Sequence, residues 1–290
     1  MGTSGAWGGS QTERWREARE LLDQVEDLGP PGPPDPQPRP EADPAADPPP
    51  AADALLDAIA AGLAGDDPAA ADPAGRPLPS LAALLGPRRT GGTGGSGGSG
   101  GAGGGAAPGG GGGGGGRRRQ LGRAAQRGGV AIGAAYALRR GDVAALADVG
   151  LNLAELQAMS PRAQRMALLD AILGAPNHPD DVAARRAADE QLREILTAPS
   201  GADPDPLDLV RGFVGKLIHQ VAVVELVDQL DRSAADPAAA LRKERRLGEW
   251  IRARLARERF GATGALVALA DFQRIAARLL ATALSILRSS

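Results

Sequence analysis

The chain has 290 residues, no cysteine and only seven aromatic side chains, and its net charge of −2 hides an asymmetry. Residues 1–90 carry 15 acidic and 7 basic side chains, whereas residues 117–290 carry 20 acidic and 26 basic ones. The lack of cysteine excludes disulfides, thiolate chemistry and most zinc sites. The 42 glycines and 24 prolines indicate low-complexity segments beside one aliphatic core.

A glycine-rich tract from Gly91 to Gly116 divides the chain and runs directly into three arginines. Gly/Ser sequence of this kind behaves as a flexible coil. It is not a phosphate-binding loop, because no Lys-Ser/Thr pair follows the last glycine and no strand precedes it. We therefore predict a largely disordered acidic, proline-rich region with short helices over 1–90, a Gly/Ser spacer over 91–116 and a helical domain over 117–290.

Two short helices are predicted before the spacer, over Thr12–Leu28 and Asp53–Leu63, because apolar residues recur on one face of each. Proline-rich sequence over 29–52 favours polyproline II between them, and leucines at 81, 84 and 85 form a smaller cluster. Isolated helices this short are marginal in water, so their apolar faces need a surface to bind. That surface is either the chain's own helical domain or a partner. The candidate partner-binding residues are Trp15, Leu21, Leu22, Leu55, Leu56 and Ile59.

The sequence after the spacer predicts an all-α bundle of five or six helices, since no segment alternates as a strand does. Helix starts are indicated by capping residues followed by proline or glutamate, at Asn152, Ser160-Pro161, Pro179, Asp205-Pro206 and Asp236-Pro237. The helix from Pro206 is the most apolar and is predicted to be central. The helix from Pro161 is predicted to turn Met166, Leu169, Ile172 and Leu173 inward.

No catalytic or metal-binding constellation is apparent, and the sequence predicts neither an enzyme nor a cofactor. His178 lies in a predicted turn and His219 on the central helix, without the spacing of a metal pair or a triad. His219 is interpreted as a hydrogen-bonded core or boundary residue. Acidic residues recur in pairs at Asp180 and Asp181, Asp189 and Glu190, and Glu225 and Asp228. Glu225 and Asp228 share one face of the central helix, and they are interpreted as ion-pair partners of the many arginines rather than as catalytic groups.

Two basic segments raise the alternative of nucleic-acid binding, which needs clustered cations and depends on salt. In the segment from Arg242 to Arg254, Glu244 and Glu249 dilute the charge, and a solvated helix face is the favoured interpretation. The other segment is uninterrupted by acids and forms the candidate basic patch. Its residues are Arg117, Arg118, Arg119, Arg123 and Arg127.

A cytoplasmic location is expected, because the first 20 residues contain acids and no apolar signal region. The longest apolar stretches are interrupted by charge, at Lys216 and Glu225 in one and at Asp271 and Arg274 in the other. A membrane-spanning helix needs about 20 mostly apolar residues. No membrane partner is therefore predicted.

Several motifs together resemble the QatB family of the Qat anti-phage defence system. They are the opening Met1-Gly2-Thr3-Ser4, the step from Gly116 into Arg117, and the segments Gly150-Leu151-Asn152-Leu153, Asp170-Ala171-Ile172-Leu173-Gly174 and Val224-Glu225-Leu226. The resemblance implies a non-enzymatic, bacterial interaction subunit. The partners it implies are an ATPase, a QueC-like deazaguanine enzyme and a TatD-like nuclease, with the QueC-like enzyme foremost.

The resemblance also singles out Gly2 as a modification candidate. It implies that a QueC-like partner joins a deazaguanine to the amine that Gly2 exposes once Met1 is removed. An α-amine has a reference pKa of about 7.7–8.0, so a useful fraction is neutral and nucleophilic near neutral pH. The alternative is that Met1 is removed and nothing else happens.

Overall fold

The computed structural model describes residues 13–24, 50–64, 113–199, 204–233, 237–257 and 268–287. Within these ranges every regular element is an α-helix, which confirms the all-α class. The ten helices of the described residues are α1 (Glu13–Gln24), α2 (Pro50–Ala64), α3 (Gly113–Arg140), α4 (Val143–Asp148), α5 (Leu153–Gln157), α6 (Pro161–Ile172), α7 (Pro179–Thr197), α8 (Pro206–Ser233), α9 (Pro237–Arg257) and α10 (Leu269–Leu287).

Some sequence predictions fall outside the described residues. These are Gly2, most of the polyproline stretch over 29–52, the leucines at 81, 84 and 85, and most of the spacer over 91–116. The described part of the predicted helix over Thr12–Leu28 is α1, Glu13–Gln24, and α3 begins at Gly113, inside the predicted spacer.

Capping hydrogen bonds begin several helices where the sequence indicated. The Asn152 side chain accepts from the backbone N–H of Ala154 at 2.9 Å, and Ser160 Oγ accepts from that of Ala163 at 3.3 Å. Asp205 Oδ1 likewise accepts from the N–H of Leu207 at 2.9 Å. Each bond satisfies a donor that the first turn of a helix leaves unpaired, and the predicted starts are confirmed.

Helix α8 lies at the centre of the bundle, as predicted, and packs against α7, α9, α10, α3 and α1. Phe213 and Ile218 on α8 are completely buried. Helix α3 is the second central element, packing on α10, α7, α8 and α6. The two 28-residue helices therefore share the core, although only α8 has the apolar sequence that predicts it.

Glycines allow α3 to approach its neighbours closely. A Cβ atom at position 128 would lie 1.9 Å from Cζ of Phe213, and one at position 133 would lie 2.8 Å from Cγ of Phe272. Separations under about 3 Å are well inside van der Waals contact. The rings of α8 and α10 therefore fill the space that side chains on α3 would otherwise occupy.

Helices α1 and α2 complete the bundle core. They pack on each other, α1 also contacts α8, and α2 also contacts α10 and α3. Their buried apolar residues belong to the same hydrophobic cluster as those of α3 to α10. The sequence left open whether α1 and α2 bind the chain's own helical domain or a partner. In the structure they pack on the chain's own helices.

Helix α6 differs from its prediction at one residue. Leu169 and Ile172 are buried and Leu173 packs on the core as predicted, but Met166 is 43% exposed and Leu168 is buried instead. Arg165 Nε lies 3.0 Å from Oδ1 of Asp189 on α7. The ion pair and the three buried side chains lie on the side of α6 that packs against α3 and α7.

Candidate functional site

The candidate partner-binding residues lie mostly inside the molecule. Trp15, Leu22, Leu55, Leu56 and Ile59 are almost completely buried, and Leu21 is half-buried. In this arrangement they contact the chain's own helices, so a partner could reach them only if α1 or α2 moved.

Trp15 is held against α2 at a glycine. A Cβ atom at position 62 would lie 2.6 Å from Cε2 of Trp15, so only glycine admits the indole at this distance. Packing on this side leaves Arg16, Glu17 and Glu20 exposed on α1. The surface of α1 that a partner meets first is therefore charged.

The candidate basic patch lies along the first half of α3. Arg123 is exposed and Arg127 is half-buried. Arg117, Arg118 and Arg119 belong to the first two turns of α3, but their side chains are not among those described. Of the five arginines of the patch, Arg123 is thus the one that the described side chains place on the surface.

Arg139, at the other end of α3, has a structural role that the sequence did not indicate. Its Nη1 donates to the carbonyl oxygens of Ile195 at 2.6 Å and Ala198 at 3.0 Å, and its Nη2 donates to that of Pro199 at 3.2 Å. These carbonyls lie at the C-terminal end of α7, where a cation is favourable. The partners are more than 50 residues away along the chain, so no local signal predicts them.

Both histidines make structural hydrogen bonds. His178 is the N-cap of α7, where its Nδ1 accepts from the backbone N–H of Asp180 at 3.2 Å. His219 Nε2 lies 3.0 Å from the carbonyl oxygen of Glu244, which joins α8 to α9. The interpretation of His219 as a hydrogen-bonded boundary residue is confirmed.

Acidic side chains of α7 are tied to neighbouring helices. Besides the Asp189–Arg165 pair, Glu194 Oε2 accepts from Lys216 Nζ at 2.7 Å, and Glu190 Oε1 accepts from Gln220 Nε2 at 2.9 Å. Asp189 thus has an arginine partner, whereas Glu190 accepts from an amide. These bonds hold α7 to α6 and α8, so the acids named here have structural roles.

Within the described ranges, no three histidine, aspartate or glutamate side chains are grouped closely enough to hold a metal ion. No helix in the described part of the chain is both long enough and apolar enough to cross a membrane.

The second basic segment lies along α9, which packs mainly on α8. Leu247, Ile251 and Leu255 are buried on that side. Arg242 and Arg245 are exposed on the opposite side, and Leu241 beside them is 61% exposed. The charges agree with the predicted solvated face, but an exposed leucine among them was not anticipated.

Comparison with known proteins gives one informative match. A family model described as "Qat anti-phage system associated protein QatB" matches residues 112–287, which include helices α3 to α10. No curated protein and no solved structure shows a match.

Proposed function

This chain belongs to the QatB family of Qat anti-phage system associated proteins, and we propose that it acts there as a non-enzymatic interaction subunit. The single observation that carries the proposal is the family match over 112–287, which extends across the helical body from α3 to α10. A protein associated with a defence system needs surfaces for its other components.

The described side chains support a binding role over a catalytic one. His178, His219, Asp189 and Glu194 each make a bond that caps a helix or joins two helices. Groups used in this way hold the fold together. The proposal therefore assigns function to the outer surfaces of the bundle and to the N-terminus.

We further propose that Gly2 is joined to a deazaguanine by a QueC-like partner. Gly2 precedes Glu13, the first residue of α1, by only 11 positions. At about 3.3–3.6 Å per residue, an extended leader reaches at most roughly 40 Å from α1. A partner that modifies Gly2 would therefore bind near α1, whose exposed face carries Arg16, Glu17 and Glu20.

Intact-mass measurement tests the modification. The chain would be co-expressed with the QueC-like, ATPase and TatD-like proteins encoded beside it, and again without the QueC-like protein. We expect a mass above that of the Met-cleaved chain only when the QueC-like protein is present. The Gly2→Pro variant, whose amine is secondary, is the control and should stay unmodified. A mass that shows Met loss alone in every sample rejects the modification.

Association is tested separately by co-purification on a tag at the C-terminus. We expect the tagged chain to retain at least one of the three co-expressed proteins through size-exclusion chromatography. Turnover of a substrate by the purified chain alone would contradict the non-enzymatic role.

Nucleic-acid binding through the candidate basic patch is the second candidate. It is favoured by α3, which has seven arginines and no acidic residue over its 28 residues and leaves Arg123 exposed. Binding of a duplex that weakens steeply with salt, and that is lost in Arg123→Glu, would support it. Absence of binding at about 50 mM salt would reject it.

A further inference from the structure

The outer face of α9 combines three exposed arginines with an exposed leucine, and one of these arginines, Arg252, donates to the carbonyl oxygen of Gly248 at 3.1 Å. Residues three, four and seven positions apart share one face of a helix. The exposed residues of α9 follow this spacing and form what we call the α9 stripe. It consists of Leu241, Arg242, Arg245, Glu249 and Arg252.

Several cations of the bundle pair with described acids, whereas the two at the start of the stripe, like Arg186 and Arg193 on α7, pair with no described residue. Arg165 and Lys216 pair with acids on α7, and Arg185 pairs with Asp170. Arg242 and Arg245, in contrast, make no ion pair with any residue that the structure describes. Helix α9 has seven basic and two acidic residues in 21 positions, so this charge is not neutralised within the helix.

Leu241 adds an exposed apolar side chain to the charged stripe, and among the large apolar residues described only Val143 is equally exposed. The Leu241 side chain is 61% exposed although the opposite side of α9 is well packed, with Leu247 and Ile251 completely buried. Trp250 is half-buried against the core at the flank of the same helix. Interfaces between proteins are enriched in arginine and tryptophan and poor in lysine, and α9 has six arginines and one lysine.

We propose that the α9 stripe binds an acidic face of another protein of the Qat system, with Leu241 entering an apolar site between the partner's carboxylates. This inference rests on the proposed function as an interaction subunit and names its binding surface. Arginine suits the role because its guanidinium forms two parallel hydrogen bonds with one carboxylate.

The composition of the stripe favours a protein over a phosphate backbone. Glu249 lies between Arg245 and Arg252, where it would repel a phosphate but can accept a hydrogen bond from a protein. Leu241 offers nothing to a phosphate, whereas its burial in an apolar site would stabilise a protein complex. A polyanion would be better matched by an unbroken row of cations.

Charge reversal on two helices provides the test. Arg242→Glu with Arg245→Glu changes the stripe, and Arg186→Glu with Arg193→Glu makes the same change in net charge on α7. Both α7 arginines are exposed and form no ion pair with described residues. Leu241→Ala is the uncharged third variant. Thermal unfolding followed by circular dichroism confirms that each variant is folded.

The readout is the dissociation constant between the full-length tagged chain and each co-expressed Qat protein that it retains. We expect the stripe reversal to weaken binding by about tenfold or more, Leu241→Ala to weaken it by about tenfold, and the α7 reversal to leave it within about twofold. We also expect added salt to weaken the wild-type complex, and we expect Leu241→Ala to leave that salt dependence unchanged.

The other outcomes separate the two proposals. Equal affinity in all variants overturns the stripe but leaves the interaction subunit standing, whereas a wild-type chain that retains no Qat protein overturns both. If the stripe reversal abolishes binding to a DNA duplex and leaves the Qat complex unchanged, the stripe contacts nucleic acid. Self-association by sedimentation that only the stripe reversal abolishes would identify a second copy as the occupant. Either result overturns the proposal.

Discussion

Gly129 shows how much one missing methyl group matters in this bundle. A Cβ atom there would lie 2.6 Å from the carbonyl oxygen of Phe272 and 2.6 Å from Cβ of Ala276. The carbonyl belongs to the backbone of α10, so it cannot move alone. We expect Gly129→Ala to lower the free energy of unfolding by about 1–3 kcal/mol, although alanine favours helix over glycine. Urea denaturation followed by circular dichroism measures this change.

Gly122 is the matched control on the same helix. No heavy atom lies within 4 Å of the position that its Cβ would take. Gly122→Ala should therefore raise the free energy of unfolding by about 0.5–1 kcal/mol through helix propensity alone. Stabilisation by both substitutions would mean that α3 and α10 are farther apart than the structure places them.

Arg139 is a second position where one residue supports a distant element. Its guanidinium spans the carbonyls of Ile195, Ala198 and Pro199, which a lysine ammonium cannot do from a single point. We expect Arg139→Lys to cost about 1–2 kcal/mol and to speed amide hydrogen exchange in the last turn of α7. Arg193→Lys, at an exposed position, should change neither the free energy of unfolding nor the exchange rate in α7. Comparable effects of the two substitutions would contradict the capping role of Arg139.

For the helices, the sequence predicted the capping residues but not the contacts between helices. Asn152, Ser160 and Asp205 cap helices because a side-chain oxygen meets a nearby backbone donor, which a sequence of a few residues already specifies. Helix α4 was missed because six residues after Asp142 are too few to show a helical period. On α6 the sequence placed Leu169 and Ile172 correctly and Met166 wrongly, because the helices that this element packs against are not specified by its own residues.

The docking of α1 on α2 gives a prediction for a whole element. Gly62→Val would push branched carbons into the Trp15 ring, which lies 2.6 Å from the Cβ position. We expect hydrogen-exchange protection of α1 and α2 to fall by about tenfold or more while α3 to α10 stay protected. Ala54→Val is the control, because residue 54 is exposed on the same helix. Unchanged protection in Gly62→Val would contradict the packing of Trp15 on α2.

Over the whole molecule, the sequence could not decide what α1 and α2 bind, because an apolar helix face looks the same whether it meets its own chain or another. The family match begins at residue 112, after both helices. Yet Trp15, Leu55 and Ile59 are as buried as any residue of the matched part. The folded body is thus larger than the segment that matches the family model.

Cleavage of the connection between α2 and α3 tests this larger body. A protease site inserted after Gly100, within the 48 residues between the two helices, would be cut after the protein has folded. Because apolar burial holds α1 and α2 in place, we expect both pieces to elute together at tens of micromolar. The tether supplies an effective concentration of about millimolar, so the cut protein should separate on dilution and its unfolding midpoint should depend on concentration. The uncut protein should show neither effect. Immediate separation of the pieces at high concentration would mean that α1 and α2 contribute little to the core, and would return Trp15 and Leu55 to the set of residues available to a partner.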